Sequence, residues 1–389
     1  MCGRRVLMSG IFGLGVILLL SPAAHAENEE PKKTDGPTPS VQAEEPRSVV
    51  GRADLAPKFS LHGFTDATFL AEDISPPVGE EETEAGFFLG EFDLYMVSHL
   101  ARRLSFLGEV VFEFEDDGET RSDVERVFLK YSQSDLLWAS IGRRHTPLGY
   151  WNETYHHGFL LQPTVQRPTV LSFEDKGGVL PVHSVGLDVG GRFFRRAWSL
   201  DYRGGIYNGR GETREVVQAF GDANTNKARL LKVSLQRERK NHLEFGLMGY
   251  GDVIPPDPGV AERDGDIKEK IYGFHIVYDR PQIKFLGEYY FIRHENDPTD
   301  TTYEHRGYYA IAIWQPWKLK PYAGYDVLDL EEGDPYYVGV LPYQERFLVG
   351  LRFDPQPFLA IKLELRHDDR FEQPETEVNA LAIQVAYTF

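Results

Sequence analysis

The stretch Leu104-Ser105-Phe106-Leu107-Gly108-Glu109-Val110-Val111-Phe112-Glu113-Phe114-Glu115 alternates: Leu104, Phe106, Gly108, Val110, Phe112 and Phe114 share one side of a two-residue period, while Ser105, Glu109, Glu113 and Glu115 share the other. Successive side chains of a strand point to opposite faces, so the pattern predicts a β-strand with one apolar and one charged face. A single strand fits a soluble sandwich with the charged face outward or a membrane barrel with it inward. The spacing of such segments decides between them. From Phe59 onward no window shows convincing helical periodicity, and strands are predicted near 59–72, 86–100, 104–115, 123–133, 136–144, 182–194, 197–207, 227–237, 241–251, 268–279, 282–293, 302–314, 317–327, 344–354, 357–367 and 377–389.

Their connections alternate strictly. Seven are short, such as Ala101-Arg102-Arg103, Ser134-Asp135, Arg195-Arg196 and Arg280-Pro281, and eight are long, near 73–85, 116–122, 145–181, 208–226, 252–267, 294–301, 328–343 and 368–376. Tight turns on one side, long loops on the other and an even strand count predict an all-β fold, a closed antiparallel transmembrane β-barrel of about 16 strands. A sandwich has no reason to sort its connections this way.

The 389 residues carry 42 Lys+Arg against 60 Asp+Glu, a formal net charge of -18. Mean hydropathy is -0.38. These values exclude a helical membrane protein and a nucleic-acid binder, which would need a basic face. A barrel tolerates such a mean because only alternate residues need be apolar. One cysteine excludes a disulfide framework and a thiolate zinc centre. Arg4 and Arg5, the apolar run Ile11 to Leu20 and the ending Ala24-His25-Ala26 predict a signal peptide over 1–26. Residues 27–57, rich in Glu, Pro, Lys, Ser and Thr, predict a flexible periplasmic segment, and 58–389 the outer-membrane barrel.

Aromatic residues near strand ends, including Tyr131, Trp138, Trp198, Tyr278, Tyr289, Tyr309, Trp314, Trp317 and Tyr325, fit an interfacial girdle. The chain stops on the alternating Leu381, Ile383, Val385, Tyr387 and Phe389. This ending resembles the carboxy-terminal assembly signal of Gram-negative outer-membrane proteins, and 58–389 resembles a sixteen-stranded porin. Gly142-Arg143-Arg144-His145-Thr146-Pro147-Leu148-Gly149 is loosely similar to the corresponding stretch of the phosphate-selective porins O and P. The porin resemblance implies outer-membrane localisation, contact with outer-membrane lipid and lipopolysaccharide, a homotrimer, and a long third loop folded into the lumen.

With apolar faces on lipid, their complements line the lumen: thirteen bases, among them Arg126, Lys130, Arg144, Arg203, Lys232 and Arg306, and twelve acids, among them Glu109, Glu113, Asp188, Glu288, Glu304 and Glu364. Charges of both signs require water or pairing. The excess acid falls instead in the outer loops, such as Glu80, Glu81, Glu82 and Glu84. The third loop is the longest and least polar, with Tyr150, Trp151, Tyr155, Phe159, Leu160, Leu161 and Phe173. Its His145, Asn152, Glu153, His156, His157, Arg167, Glu174 and Asp175, with the flanking Arg144 and His183, are candidates for the constriction, and Arg126, Lys130, Glu109 and Glu113 are further pore-lining candidates on the wall. Four histidines from His145 to His183 invite a metal reading, completed by Glu153, Glu174 or Asp175. Adjacent His156 and His157 lack a regular ligand spacing, so hydrogen bonding of the folded loop is expected, and no metal, cofactor or catalytic residue is assigned. The expected function is a passive diffusion channel for small hydrophilic solutes or ions. The alternatives are a barrel enzyme (lipid hydrolase or protease), for which no Gly-x-Ser-x-Gly or His-Glu-x-x-His occurs, and a plugged structural or adhesive barrel.

Overall fold

The computed structural model describes residues 58–75, 82–114, 118–156, 158–173, 176–214, 221–237, 242–297, 299–371 and 376–389. The expectations for 1–26 and 27–57 lie outside the described residues, as do those for His157, Glu174 and Asp175. Sixteen strands are present: β1 Lys58–Ser75, β2 Glu82–Ala101, β3 Leu104–Phe114, β4 Thr120–Ser134, β5 Leu137–His145, β6 His183–Arg195, β7 Trp198–Tyr207, β8 Ala228–Arg237, β9 His242–Ile254, β10 Ile267–Asp279, β11 Ile283–Asn296, β12 Thr301–Trp314, β13 Leu319–Asp329, β14 Tyr343–Gln356, β15 Leu359–Phe371 and β16 Thr376–Thr388. Each of the predicted strands is there, with ends moved by a few residues.

Every strand pairs antiparallel with its sequence neighbours, and β1 closes on β16 from Phe64 opposite Thr388 to Ser75 opposite Glu377. Closure leaves no unpaired strand edge, the condition for a sheet to cross a bilayer. The faces are inverted relative to a soluble sandwich. Phe87, Ile141, Leu231, Leu247, Phe347 and Leu365 are each more than half exposed on the outer surface, while Glu109, Asp188, Glu288, Lys362 and Glu364 are almost fully buried inside. An exposed apolar surface of that extent is what lipid covers.

Two irregularities matter for the interior. Between β3 and β4 the register slips: Glu109 faces Arg126 but Val110 faces Val124, so Glu125 is an extra residue. Such a bulge breaks the alternation, and Glu125 joins Arg126 on the lumen side. In β5, Gly142 has φ +136, and a Cβ there would meet the Val127 carbonyl oxygen at 2.0 Å. Only glycine fits, and beyond it Arg143, Arg144 and His145 are all buried.

Two girdle expectations need correcting. Tyr131, Trp198, Trp314, Trp317 and Tyr325 are exposed on the outside. Tyr309, by contrast, is 3% exposed and its hydroxyl donates to Glu288 Oε1 at 2.7 Å inside the barrel. Trp138 lies inside as well, with the Lys130 ammonium 4.4 Å from its ring centre.

Candidate functional site: the lumen and its third loop

The described residues between β5 and β6 fold into the barrel. Leu148, Trp151, Val170, Leu171, Val179 and Leu180 are at most 1% exposed. They pack against an inner wall that is itself apolar on β9–β12, where Ile271, Leu286, Tyr290, Ile292 and Ile311 belong to the same cluster. Trp151 meets Tyr309 edge-on at 5.7 Å. A short helix, α1 Trp151–Thr154, lies within this segment.

An irregular segment inside a barrel must find partners for backbone groups that no ladder satisfies. Wall carboxylates accept its N–H groups: Glu288 Oε1 from Tyr150 at 3.0 Å and Trp151 at 2.6 Å, Glu364 from Val165 at 2.9 Å and Gln166 at 3.3 Å, and Asp326 from Thr169 at 3.1 Å. Wall cations donate to its carbonyls. Arg352 reaches Gln162 and Leu160, both at 2.7 Å, and Lys362 reaches Phe159 at 2.6 Å and Thr164 at 2.8 Å. Much of the lumen charge on β8–β15 therefore holds the loop.

What stays open lies mainly toward β1–β9. One cavity of about 320 Å³ is lined by Phe64, Tyr95, Glu109, Arg126, His145, Glu153 and His156 among others, and a second of about 280 Å³ by Trp138, Glu153, Arg192, Asp201, Arg203 and Lys232 among others. Glu153 and Thr154 line both, so α1 stands between them. Arg126 donates to Glu109 Oε1 at 2.9 Å and keeps a quarter of its side chain exposed. Arg203 donates to Glu153 at 2.5 Å and to Asp188 at 3.0 Å, and Lys232 also pairs with Glu153. Burial pushes the Glu153 carboxyl up, but Lys232 and then Arg203 more than offset it, and the group titrates below the ordinary glutamate value.

The expected constriction residues separate into groups. Arg126, Glu109, His145, Glu153 and His156 meet around the first cavity, and Lys130 sits over Trp138 at the second. Arg144 is buried behind it, bonded to Asp188 and to Ser140 at 2.6 Å. Glu113 pairs with Lys176 of the loop at 3.3 Å. Arg306 and Glu304, expected inside, are exposed on the outer face, and His305 between them is the buried residue. The reading failed there because β12 turns Tyr309, Ile311 and Ile313 toward the loop, so apolar did not mean lipid-facing.

Sequence reasoning missed Glu125. Its Oε2 lies 3.5 Å from His156 Nε2 and 3.8 Å from His145 Nε2 and is bonded to His183 Nε2. The bulge that places it has no simple sequence mark. A second cluster, His294, His305 and Asp334, forms where the seventh loop meets β11 and β12. Asp334 Oδ2 accepts from His294 Nδ1 at 2.6 Å and His305 Nε2 at 2.7 Å. Burial raises this carboxyl, yet the bonds from the two imidazoles hold it well below the usual carboxylate range.

A closed sixteen-stranded barrel, apolar outside and charged within, with its third loop folded inward, has the architecture of porin-type barrels of the Gram-negative outer membrane. No protein-family model matches the chain, and no curated protein matches it in sequence. Among solved structures, an anion-selective porin from Comamonas acidovorans matches with a TM-score of 0.59 at 11% identity, over 86% of this chain and 100% of that one. Pseudomonas putida OprB matches at 0.58 with 9% identity over 87% and 95%, and the trimer form of Vibrio cholerae OmpT at 0.53 with 12% identity over 86% and 100%. At such identities the likeness is one of fold.

Proposed function

We propose that this protein is a passive diffusion channel for small hydrophilic solutes or ions in the outer membrane. The observation that carries the reading is the pair of cavities beside α1, walled by ionised side chains of both signs and left open by a loop that packs against the opposite wall. Charged walls that remain partly exposed, as Arg126, Arg192, Arg203 and Asp201 do, favour a water-filled path over a dry plug. Residues 1–26 would export the chain, and the trimer form of the Vibrio cholerae protein supports a homotrimer here, bedded in lipid and lipopolysaccharide. Phosphate belongs among the solutes tried, because Gly142–Gly149 resembles the phosphate-selective porins.

The test is single-channel recording in a planar bilayer. Stepwise ohmic currents are expected. Absence of current from barrels shown to be folded by heat-modifiable migration would reject the pore in favour of a plugged barrel or a barrel enzyme.

A further inference from the structure

We infer that Glu125, His145, His156 and His183 form a binding site for one first-row transition-metal dication, zinc foremost, which fastens the third loop to strands β4–β6. The four side chains come from β4, β5, the loop and the start of β6, and one ligand atom from each lies within 4.8 Å of all the others. Zinc–nitrogen bonds of about 2.0–2.1 Å place tetrahedral donors about 3.3 Å apart. Glu125 Oε2 stands 3.5 Å from His156 Nε2 and 3.8 Å from His145 Nε2, and it touches His183 Nε2. Small movements would complete the tetrahedron.

The hydrogen-bond pattern fixes which His156 nitrogen is a ligand. Asn152 Nδ2 donates to the carbonyls of Thr146 at 2.8 Å and Val182 at 2.9 Å, which orients its amide. Asn152 Oδ1 is therefore the atom 2.6 Å from His156 Nδ1, and since that oxygen can only accept, Nδ1 carries the proton. His156 Nε2 is then the nitrogen that faces Glu125. An imidazole whose far nitrogen is held by a fixed acceptor is the usual outer-shell arrangement of a metal-bound histidine.

His145 and His156 stack at 3.7 Å between ring centres. Charging both rings at that distance is costly, so adding protons is a poor way to balance Glu125 across this cluster. A dication is a good one. Three imidazoles and one carboxylate suit zinc or its first-row neighbours and disfavour calcium and magnesium, which take oxygen ligands. Access is provided by the first cavity, which His145 and His156 both line. The loop is already held by wall cations and carboxylates on β8–β15, and the metal would hold it on the remaining side.

The test uses the full barrel folded in detergent, stripped with a chelator and titrated with zinc chloride, with bound metal counted by mass spectrometry. One zinc per chain is expected, with affinity reduced at least about a hundredfold in His156→Gln, more than an outer-shell partner is worth. His305→Gln, in the other cluster, should keep it. If His156→Gln does not fold by heat-modifiable migration, Glu125→Gln carries the same expectation. Wild-type barrel that binds no zinc, or folded Glu125→Gln and His156→Gln barrels that bind it as tightly as wild type, would overturn the site. Metal content is read without any current, so this result stands or falls apart from the channel reading.

Discussion

Two clusters inside this barrel are built from the same residue types and differ in how one imidazole, His156, is held on its outer side. At Asp334 the protons run inward. The backbone N–H of Glu331 donates to His305 Nδ1 at 3.1 Å, so His305 Nε2 must carry its proton to Asp334. His294 has a carboxylate at each nitrogen, Asp334 at 2.6 Å and Glu269 at 3.1 Å, and Arg210 continues the chain to Glu269 at 3.1 Å. That network is complete with protons alone. At Glu125, His183 Nε2 donates to the carboxylate as the imidazoles do at Asp334, but the far side of His156 is taken by an acceptor, so that ring carries its proton outward. Histidine and carboxylate composition therefore does not distinguish a hydrogen-bonded strut from a metal site; the atom bonded on the outer side of each ring does.

Removing the acceptor of the strut has the largest expected effect. Asp334→Ala leaves two buried imidazoles without their carboxylate, and loss of one partner of such a group costs about 3–5 kcal/mol. Urea unfolding of the barrel should show that loss at neutral pH, with zinc binding unchanged. The same carboxyl gives a pH signature. Its folded value lies below the unfolded one of about 3.9, so its stabilisation is fully present above that value and declines as pH falls through the folded value. Asp334→Asn should flatten this acid limb of the stability curve below about pH 4.

Next in size is ligand-induced stabilisation at the other cluster. Zinc at a hundred times its dissociation constant should raise unfolding free energy by about 2.7 kcal/mol, and His145→Gln with His183→Gln should abolish the shift while His294→Gln leaves it. Asn152→Ala tests the tautomer: an outer-shell partner is worth about 10–100-fold in metal affinity, so a titration of this variant should fall between wild type and His156→Gln. The smallest effect is on permeation. Arg126→Glu reverses a partly exposed charge at the first cavity, and bilayer reversal potentials should move toward cations by a few-fold or less, more at low salt than at high because exposed charges are screened within about 10 Å at 0.1 M.

The barrel itself was legible because its rule is local: alternation marks strands, and connection length marks sides. The faces were legible wherever the wall meets water, as at Glu109, Arg126 and Lys232. They were misread at Glu304 and Arg306, and at Tyr309, because the inner wall opposite the loop is apolar and a two-residue period has no sign that tells loop-facing from lipid-facing. The histidines could be counted in the sequence, but the carboxylate that meets His145, His156 and His183 could not be chosen. Of the three carboxylates expected, Glu153 pairs instead with Lys232 and Arg203, and Glu125 reaches the cluster only through a bulge.

The seating of the third loop also constrains time. Its carbonyls at Phe159 and Gln162 are received by Lys362 and Arg352, separated from them by 203 and 190 residues. None of those receptors exists as a surface until β14 and β15 are in the sheet. Contacts so distant along the chain carry a large closure entropy and form late. The start of the loop finds its partners earlier, Glu288 on β11 and Lys232 on β8, so the loop is expected to seat from Gly149 toward Thr164 as the sheet closes.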